Sequence, residues 1–485
     1  MDNERAIGDC VLRAEAVRRH CDRMENEEFP SSEPVGLARA LAETAQSLSE
    51  FLVWSRNQPS YNNKTAQLQI RAIDGIIKWL FEPLRYCEGA VTSKVPWSLV
   101  GPLQRLCTQL LPHTVLILRP KWRYNYTVLM SDIVTIIRKA VAPALPPKTL
   151  DKCVGGLNSQ LHIVSFPYIE RRSVFLHAAL SHEIGHLVAE EFIRADKTPM
   201  PKAVLDRILQ DVANDKFIKP LFKHAEAARR LRECAEYRKR AIQELGSDLV
   251  AVDILGFAAL FALDAIVGMG NLDDIPSTRN TRYPPRRQRI RIMLHELEDY
   301  LPGLVDPNGL QSGTPKDCVY ILKAYQERIR ELEIIAGSTT DQAALKGDKV
   351  VEAAYQWLDQ SLNALSQHVR SRCQGVSEVS FGQGTPRGID FWQKACRLAH
   401  SRLNQGLPPN TDDDTKVPPA PATFEAIMNA GWLHLLSKIP ARPSDVAGIA
   451  SFKDQHGRAE RLTLRALEMS DIQLMYNHWG GGQKV

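Results

Sequence analysis

The sequence predicts a mainly α-helical protein with one small central β-sheet, an α+β fold. Apolar residues recur about every 3.6 positions through 66–84, and comparable helical patterns occupy most of the chain on either side of its middle. Three short stretches rich in β-branched and aromatic residues, at 113–118, 124–129 and 161–166, interrupt these patterns and predict strands. The 485 residues, 44% of them hydrophobic, are enough for about two to four domains.

The three predicted strands are close together in the sequence. Residues 119–123, Arg-Pro-Lys-Trp-Arg, have the composition of a turn, so we expect the first two strands to pair as a hairpin. Pro167 ends the third strand.

The longer apolar patterns predict helices. One is expected over about 171–193, another after Pro201, and a third over about 225–267 with a break at Gly246 or Gly256. Further helices are expected at 350–372, 391–403, 424–437 and 460–479.

The composition narrows the class of protein. Lys and Arg number 61 against 56 Asp and Glu, so the net charge of +5 does not by itself indicate an anionic partner. Nine cysteines without a CxxC pair argue against a disulfide framework and against a cysteine zinc site. The N-terminus has no secretory pattern, and the most apolar stretch, 249–268, contains Asp253 and Asp264. We therefore expect a cytoplasmic protein with no membrane span.

The strongest functional signal is the HExxH pattern His182-Glu183-Ile184-Gly185-His186. Residues four apart on a helix share a face, so both imidazoles can bind one Zn²⁺ ion, and Glu183 can act as the general base toward a water molecule. The alternative is a helix with two hydrogen-bonded core histidines.

A third ligand is expected from a second helix. Glu244 and Asp248 are also four apart, and they begin a markedly apolar run, so we expect both carboxylates to be at least half buried and to need partners. One of the two can bind the metal while the other accepts the free N–H of a liganding imidazole. The alternative is an exposed carboxylate pair. We assign Glu244 as the metal ligand and Asp248 as the partner of a histidine.

HExxH followed by a helix with ExxxD resembles the gluzincin metallopeptidases. The closest pattern is the family of the CAAX prenyl protease, the HtpX heat-shock protease and a mitochondrial inner-membrane stress protease. That family continues with His-Pro-x4-Arg, and this chain has Tyr283-Pro284 followed by Arg289. The resemblance covers about 171–293 and implies a zincin-like core in which the edge of a small sheet binds the peptide substrate.

Two residues of this downstream pattern receive roles from the resemblance. Tyr283 stands where the family has a histidine that helps to hold the oxyanion, and a tyrosine hydroxyl can donate the same hydrogen bond. Arg289 would anchor the loop to the active-site helices. A packing role for Tyr283 and a purely structural ion pair for Arg289 are the alternatives.

The segment 279–291 holds six arginines and no acid. Among them, Arg282, Arg286 and Arg287 are candidates for binding acidic peptides or phosphate. A second basic concentration, 229–240, precedes Glu244, and we favour solvated helix faces and ion pairs with neighbouring glutamates there over a nucleic-acid site.

The sequence thus predicts a cytoplasmic zinc endopeptidase acting on a peptide or protein, and leaves the oligomeric state open. The alternatives are a zinc hydrolase of a non-peptide amide and a non-catalytic regulator that binds nucleic acid or another anion through its arginines. We expect three regions: a helical N-terminal region 1–105, a metallopeptidase core 106–300, and a helical C-terminal region 301–485 with a mobile Pro- and Asp-rich loop at 406–421.

Overall fold

The computed structural model confirms a mainly helical fold with a small sheet. It describes residues 3–58, 63–157, 160–267, 283–297, 316–337, 349–377, 379, 387–411, 420–438 and 446–480. The chain divides into two compact units, Met1–Arg172 and Ser173–Val485. This division falls inside 106–300, so the three strands belong to the first unit and the HExxH helix to the second.

Seven helices accompany the sheet in the described part of the first unit. Leucines of the second helix, such as Leu41 and Leu48, are fully buried, and Asp132 caps the sixth helix by accepting hydrogen bonds from the backbone N–H groups of Val134 and Thr135. The helices are α1 Asn3–Met24, α2 Glu33–Arg56, α3 Asn63–Trp79, α4 Phe81–Gly89, α5 Trp97–Leu110, α6 Ile133–Val141 and α7 Pro147–Val154.

The sheet has the strand order β1-β3-β2, with β1 Thr114–Lys121, β2 Thr127–Val128 and β3 Gln160–Pro167. β1 pairs with β3 in parallel and β2 pairs with β3 in antiparallel orientation. The predicted hairpin is therefore wrong. β3 is buried along almost its whole length, so it takes the central position. Of the residues predicted to form the turn, 119–121 instead continue β1. Pro120 is tolerated there because β1 is an edge strand.

The outer edge of β1 is partly covered from within the first unit. The side chain of Gln104 on α5 accepts a hydrogen bond from Leu116 N at 2.8 Å and donates one to Thr114 O at 3.1 Å. Pro120 has no N–H to offer further along the same strand. These features leave β1 few free backbone groups for pairing with another strand.

Ten helices form the described part of the second unit. The helix expected from about 171 begins only at residue 179, and a 3₁₀ turn, Leu176–Ala178, precedes it. The i, i+3 spacing of a 3₁₀ turn resembles the apolar spacing of an α-helix, so the sequence pattern placed the start of the helix too early. The helices are α8 Ala179–Ala195, α9 Lys202–Asn214, α10 Lys223–Leu255, α11 Phe257–Val267, α12 Arg286–Glu296, α13 Lys316–Ala336, α14 Lys349–Cys373, α15 Arg387–Ser401, α16 Phe424–Lys438 and α17 Val446–Gly480.

Gly256 makes the break between α10 and α11, one of the two predicted positions. Its φ of 57° and ψ of −136° suit glycine, and the change of direction lets α11 start at the next residue.

Of the predicted loop 406–421, residues 412–419 lie outside the described residues, and Thr411 and Pro421 form an isolated antiparallel bridge. Within the described part of the chain, no helix combines the length and apolarity needed to cross a membrane.

Candidate metal centre

Two helices of the second unit, α8 and α10, cross closely enough to bring their polar side chains together. A Cβ atom at Gly185, inside HExxH, would lie only 2.7 Å from Ser247 Cα and 2.8 Å from Ser247 O. At Gly246 it would lie 2.9 Å from Ala189 Cβ. Glycine on each helix therefore permits backbone-to-side-chain contact at this crossing, and the histidines of one helix face the carboxylates of the other.

The two histidines of HExxH meet Glu244 at the crossing. His182 Nε2 lies 3.5 Å from one Glu244 carboxylate oxygen, and His186 Nε2 lies 3.9 Å from the other. The two imidazole rings are 4.7 Å apart and nearly perpendicular. His182 and Glu244 are buried, and the side chain of His186 is 14% exposed. The structure thus brings together the predicted set of His182, His186 and Glu244.

Glu183 belongs to the same cluster. Its carboxylate and one nitrogen each of His182 and His186 lie within 4.8 Å of one another, a spacing at which three donor atoms can share a metal ion. Glu183 is as buried as Glu244. Two carboxylates, one from each helix, therefore stand beside the histidine pair.

Asp248 and Arg289 form the layer behind the histidines. His182 Nδ1 lies 2.8 Å from Asp248 Oδ1, which leaves Nε2 directed toward Glu244. Arg289, on α12, donates hydrogen bonds from Nε and Nη2 to the two Asp248 oxygens, each at 2.7 Å. Its Nη1 lies 3.5 Å from Glu244. One guanidinium thus contacts both acidic residues of ExxxD, and whether Arg289 anchors an active-site loop or makes a structural ion pair stays a prediction.

The proximity of these groups shifts their pKa values in opposite directions. Burial alone would lower the pKa of His182, but the contacts with Asp248 and Glu244 outweigh it and raise the pKa to about 9. For His186, burial and the neighbouring His182 charge lower the pKa to about 4. Burial would raise the pKa of Asp248, yet Arg289 and His182 hold it well below the usual range. Without a metal, these shifts favour a cationic imidazolium at His182 and a neutral imidazole at His186 near neutral pH.

Tyr283 lies three residues before Arg286, the first residue of α12. It is half-buried, and burial, the charge of Glu244 and the charge of Glu183 raise its pKa. The phenol is therefore within electrostatic reach of the candidate centre and stays protonated at neutral pH. A role for Tyr283 in holding an oxyanion stays a prediction.

Tyr355 is a neighbour of the site that the sequence analysis missed. It is buried on α14, where burial raises its pKa, the Arg289 charge opposes that rise and the Glu244 charge adds to it. Its distance from Glu244 in sequence is large, and α14 has an ordinary amphipathic pattern. No local sequence signal distinguishes it from a core tyrosine.

The arginines proposed to bind anions have partners inside the unit. Arg286 hydrogen-bonds to buried Asp264 on α11, and Arg287 Nη1 donates to Ile335 O at 2.6 Å. Arg282 lies outside the described residues. An anion-binding role for these three stays a prediction, and the contacts of Arg286 and Arg287 give it no support.

The second basic concentration, on α10, follows the expected pattern of internal pairing. Arg229 binds Glu226 and Glu233, and Arg230 binds Glu226 and Asp215. These ion pairs leave little unbalanced positive charge on that part of the helix.

Comparison of the chain with protein-family models, with curated proteins and with solved structures found no match.

Proposed function

We propose that the chain is a zinc-dependent endopeptidase. The observation that carries the proposal is the convergence of His182 Nε2, His186 Nε2 and the Glu244 carboxylate, with nitrogen-to-oxygen separations of 3.5 and 3.9 Å. Two imidazoles and one carboxylate are a donor set that suits catalytic Zn²⁺. Asp248 holds His182 by its other nitrogen, as is usual for a metal-bound histidine.

The charge of the buried cluster also suits a divalent cation. Glu183, Glu244 and Asp248 bring three buried carboxylates to the crossing of α8 and α10, and Arg289 pairs with two of them, Glu244 and Asp248. Burying carboxylates is costly, and a cation that binds them lowers that cost. Three carboxylates beside two imidazoles are a set of groups that would attract a dication.

Glu244 is the better candidate for the third ligand, and Glu183 for the general base. Glu244 faces both Nε2 atoms and is fixed by Arg289, so it is held as a ligand should be. Glu183 is placed to accept a proton from an attacking water molecule on its carboxylate and to release it to the leaving amine nitrogen. Tyr283, which keeps its proton, can donate a hydrogen bond to the oxyanion.

Bound zinc would supply Lewis acidity, which lowers the pKa of a water molecule to about 7 and polarises the scissile carbonyl. A cytoplasmic location is part of the proposal. It is supported by eight cysteines that are all free and buried among the described residues, a state that suits a reducing compartment.

Metal content and peptide cleavage, measured together, test the proposal. We expect about one zinc per wild-type chain by mass spectrometry and cleavage of a peptide library. Glu183→Gln should keep the zinc and lower the cleavage rate by about 10²–10⁴-fold, whereas Glu244→Gln should lose the zinc. Glu236→Gln, an exposed carboxylate on the same helix α10, is the matched control and should change neither.

Three outcomes would reject parts of this assignment. Wild-type protein that takes up no zinc after reconstitution contradicts a zinc centre. If Glu183→Gln loses the zinc and Glu244→Gln keeps it, Glu183 is the metal ligand and Glu244 the candidate general base. If the zinc-loaded protein cleaves small amides but no peptide in the library, it is a hydrolase of non-peptide amides and not an endopeptidase.

A further inference from the structure

The connection between α9 and α10 exposes large apolar side chains to solvent. Phe217 is 99% exposed, Leu221 85% and Phe222 56%. Phe217 is the most exposed large hydrophobic residue in the part of the chain that the structure describes. We name residues 215–223 the Lys-Phe loop. Three such side chains within six residues form a larger apolar surface than singly scattered hydrophobic residues do.

The backbone of this loop is held in place by specific contacts. Asp215 accepts a hydrogen bond from Phe217 N at 3.0 Å and pairs with Arg230 of α10 at 3.1 Å. Pro220–Phe222 form a 3₁₀ turn, closed by the hydrogen bond from Phe222 N to Lys219 O at 2.9 Å. The apolar side chains are thus presented outward by a defined turn that is anchored to α10.

The charge of the loop is positive on its outer part. Lys216, Lys219 and Lys223 alternate with the apolar residues, and no acidic residue occurs between 216 and 225. The one acid of the loop, Asp215, is matched by Arg230. Lys223 Nζ donates to Ala213 O near the end of α9, whereas Lys216 and Lys219 are exposed. The exposed surface therefore combines apolar side chains with the two positive charges of Lys216 and Lys219.

We propose that the Lys-Phe loop binds the interface of an anionic lipid bilayer. Phenylalanine and leucine would enter the boundary between headgroups and acyl chains, while the lysines would extend their ammonium groups to the lipid phosphates. A side chain that is 99% exposed projects from the surface, so it needs a partner that closes around it. A fluid interface does this without a preformed pocket, and its negative charge complements the lysines.

This inference is independent of the proposed peptidase activity, because none of its residues belongs to the candidate metal centre. It concerns attachment to a membrane surface and requires no membrane-spanning helix. The binding should weaken as salt rises, because the lysine contribution is screened while the apolar contribution is not.

Flotation of the full chain with vesicles tests the proposal. We expect binding to vesicles of phosphatidylcholine with 30% phosphatidylserine and much weaker binding to phosphatidylcholine alone. The double variant Phe217→Ser/Leu221→Ser should bind the anionic vesicles at least ~10-fold more weakly. Lys216→Gln/Lys219→Gln should weaken binding by ~10- to 30-fold at low salt and by less at high salt.

Ile334→Ser is the matched control, because Ile334 is 77% exposed on α13, where the nearby basic residues Arg328 and Arg330 are accompanied by the acidic residues Glu331 and Glu333. It should bind as the wild type does. Circular dichroism of each variant verifies that the fold is intact. The proposal is overturned if the wild type floats with neither vesicle, or if the loop variants bind as tightly as the control. If the wild type does not bind vesicles but binds an acidic protein through this loop, the lipid proposal is wrong and the Lys-Phe loop is a protein-binding element.

Discussion

Replacing Gly185 with alanine is expected to destabilise the second unit, although the same replacement stabilises most helices. Alanine inside a helix is ordinarily favoured over glycine by about 0.5–1 kcal/mol. At Gly185, however, the new Cβ would lie 2.7 Å from Ser247 Cα and 2.8 Å from Ser247 O. Both are backbone atoms of α10, so they cannot rotate away as a side chain could.

The size of the effect follows from these contacts. Overpacking in a well-packed interior typically costs about 1–3 kcal/mol, and two backbone contacts below 3 Å place Gly185→Ala in the upper part of that range. Subtracting about 1 kcal/mol for the better helix propensity leaves a net loss of about 1–2 kcal/mol. Relief of the contact requires α8 to move away from α10, which would separate the histidines from Glu244 and Asp248. Zinc content should therefore fall together with stability.

Urea unfolding followed by circular dichroism measures the free energy, and metal analysis measures the zinc. The matched control is Gly457→Ala on α17 of the same unit, where the new Cβ would lie 3.5 Å from Arg461 Nη1, the end of a flexible side chain. That variant should be as stable as the wild type or more so, and should keep its metal. If Gly185→Ala were as stable as Gly457→Ala and bound zinc normally, the close crossing of α8 and α10 would not position the centre.

Three further predictions concern buried charges. Burial and the nearby Glu296 raise the pKa of Asp253 well above its usual range, so the folded protein binds a proton there more tightly than the unfolded chain does. The contribution of Asp253 to wild-type stability is therefore highest below about pH 4, the pKa of an unfolded aspartate, and falls as the pH rises above it. Asp253→Asn removes this loss, which is about 1.4 kcal/mol per unit of pKa difference, so in urea unfolding the variant should gain stability over the wild type at pH 8 relative to pH 4; an equal difference at both pH values would contradict the reasoning. Arg289→Lys loses the two parallel hydrogen bonds to Asp248, so we expect its zinc affinity to be about 10–100-fold lower, as measured by competition with a chelating dye. Unchanged affinity would show that the Arg289–Asp248 ion pair is not needed for zinc binding. Removing zinc with a chelator should lower the midpoint temperature of thermal unfolding of the wild type, because bound metal stabilises the folded state. The midpoint of Glu244→Gln, which should hold no zinc, should not change. Equal decreases in both proteins would mean that the metal binds at another site.

The features that the sequence predicted well are local ones. HExxH and ExxxD each have i, i+4 spacing, so helical geometry alone places each pair on one face. Burial of Glu244 and Asp248 followed from the apolar run that they begin, and buried carboxylates need partners. Gly256 was one of two candidates for a break, and its positive φ explains why it, and not Gly246, ends α10.

The features that it missed depend on contacts between distant parts of the chain. β1 and β2 are close in sequence, yet both pair with β3, because strand order is decided by which strand is most buried and not by proximity along the chain. Likewise, nothing near Arg286 in the sequence indicates that it pairs with Asp264 of another helix, and its anion-binding role stays a prediction. Tyr355 reaches the site from α14, and nothing in its own neighbourhood of the sequence indicates that.

The choice between a metal centre and a pair of core histidines turns on how many charges the structure buries beside them. Two core histidines need only neutral hydrogen-bond partners, and apolar residues of similar volume would fill the same space at lower cost. Here the crossing of α8 and α10 instead collects the buried carboxylates of Glu183, Glu244 and Asp248 beside the histidine pair, and Arg289 pairs with Glu244 and Asp248. A purely structural pair of histidines gives no reason to bury three carboxylates at one helix crossing, whereas a bound dication would, and this difference supports the proposed metal centre.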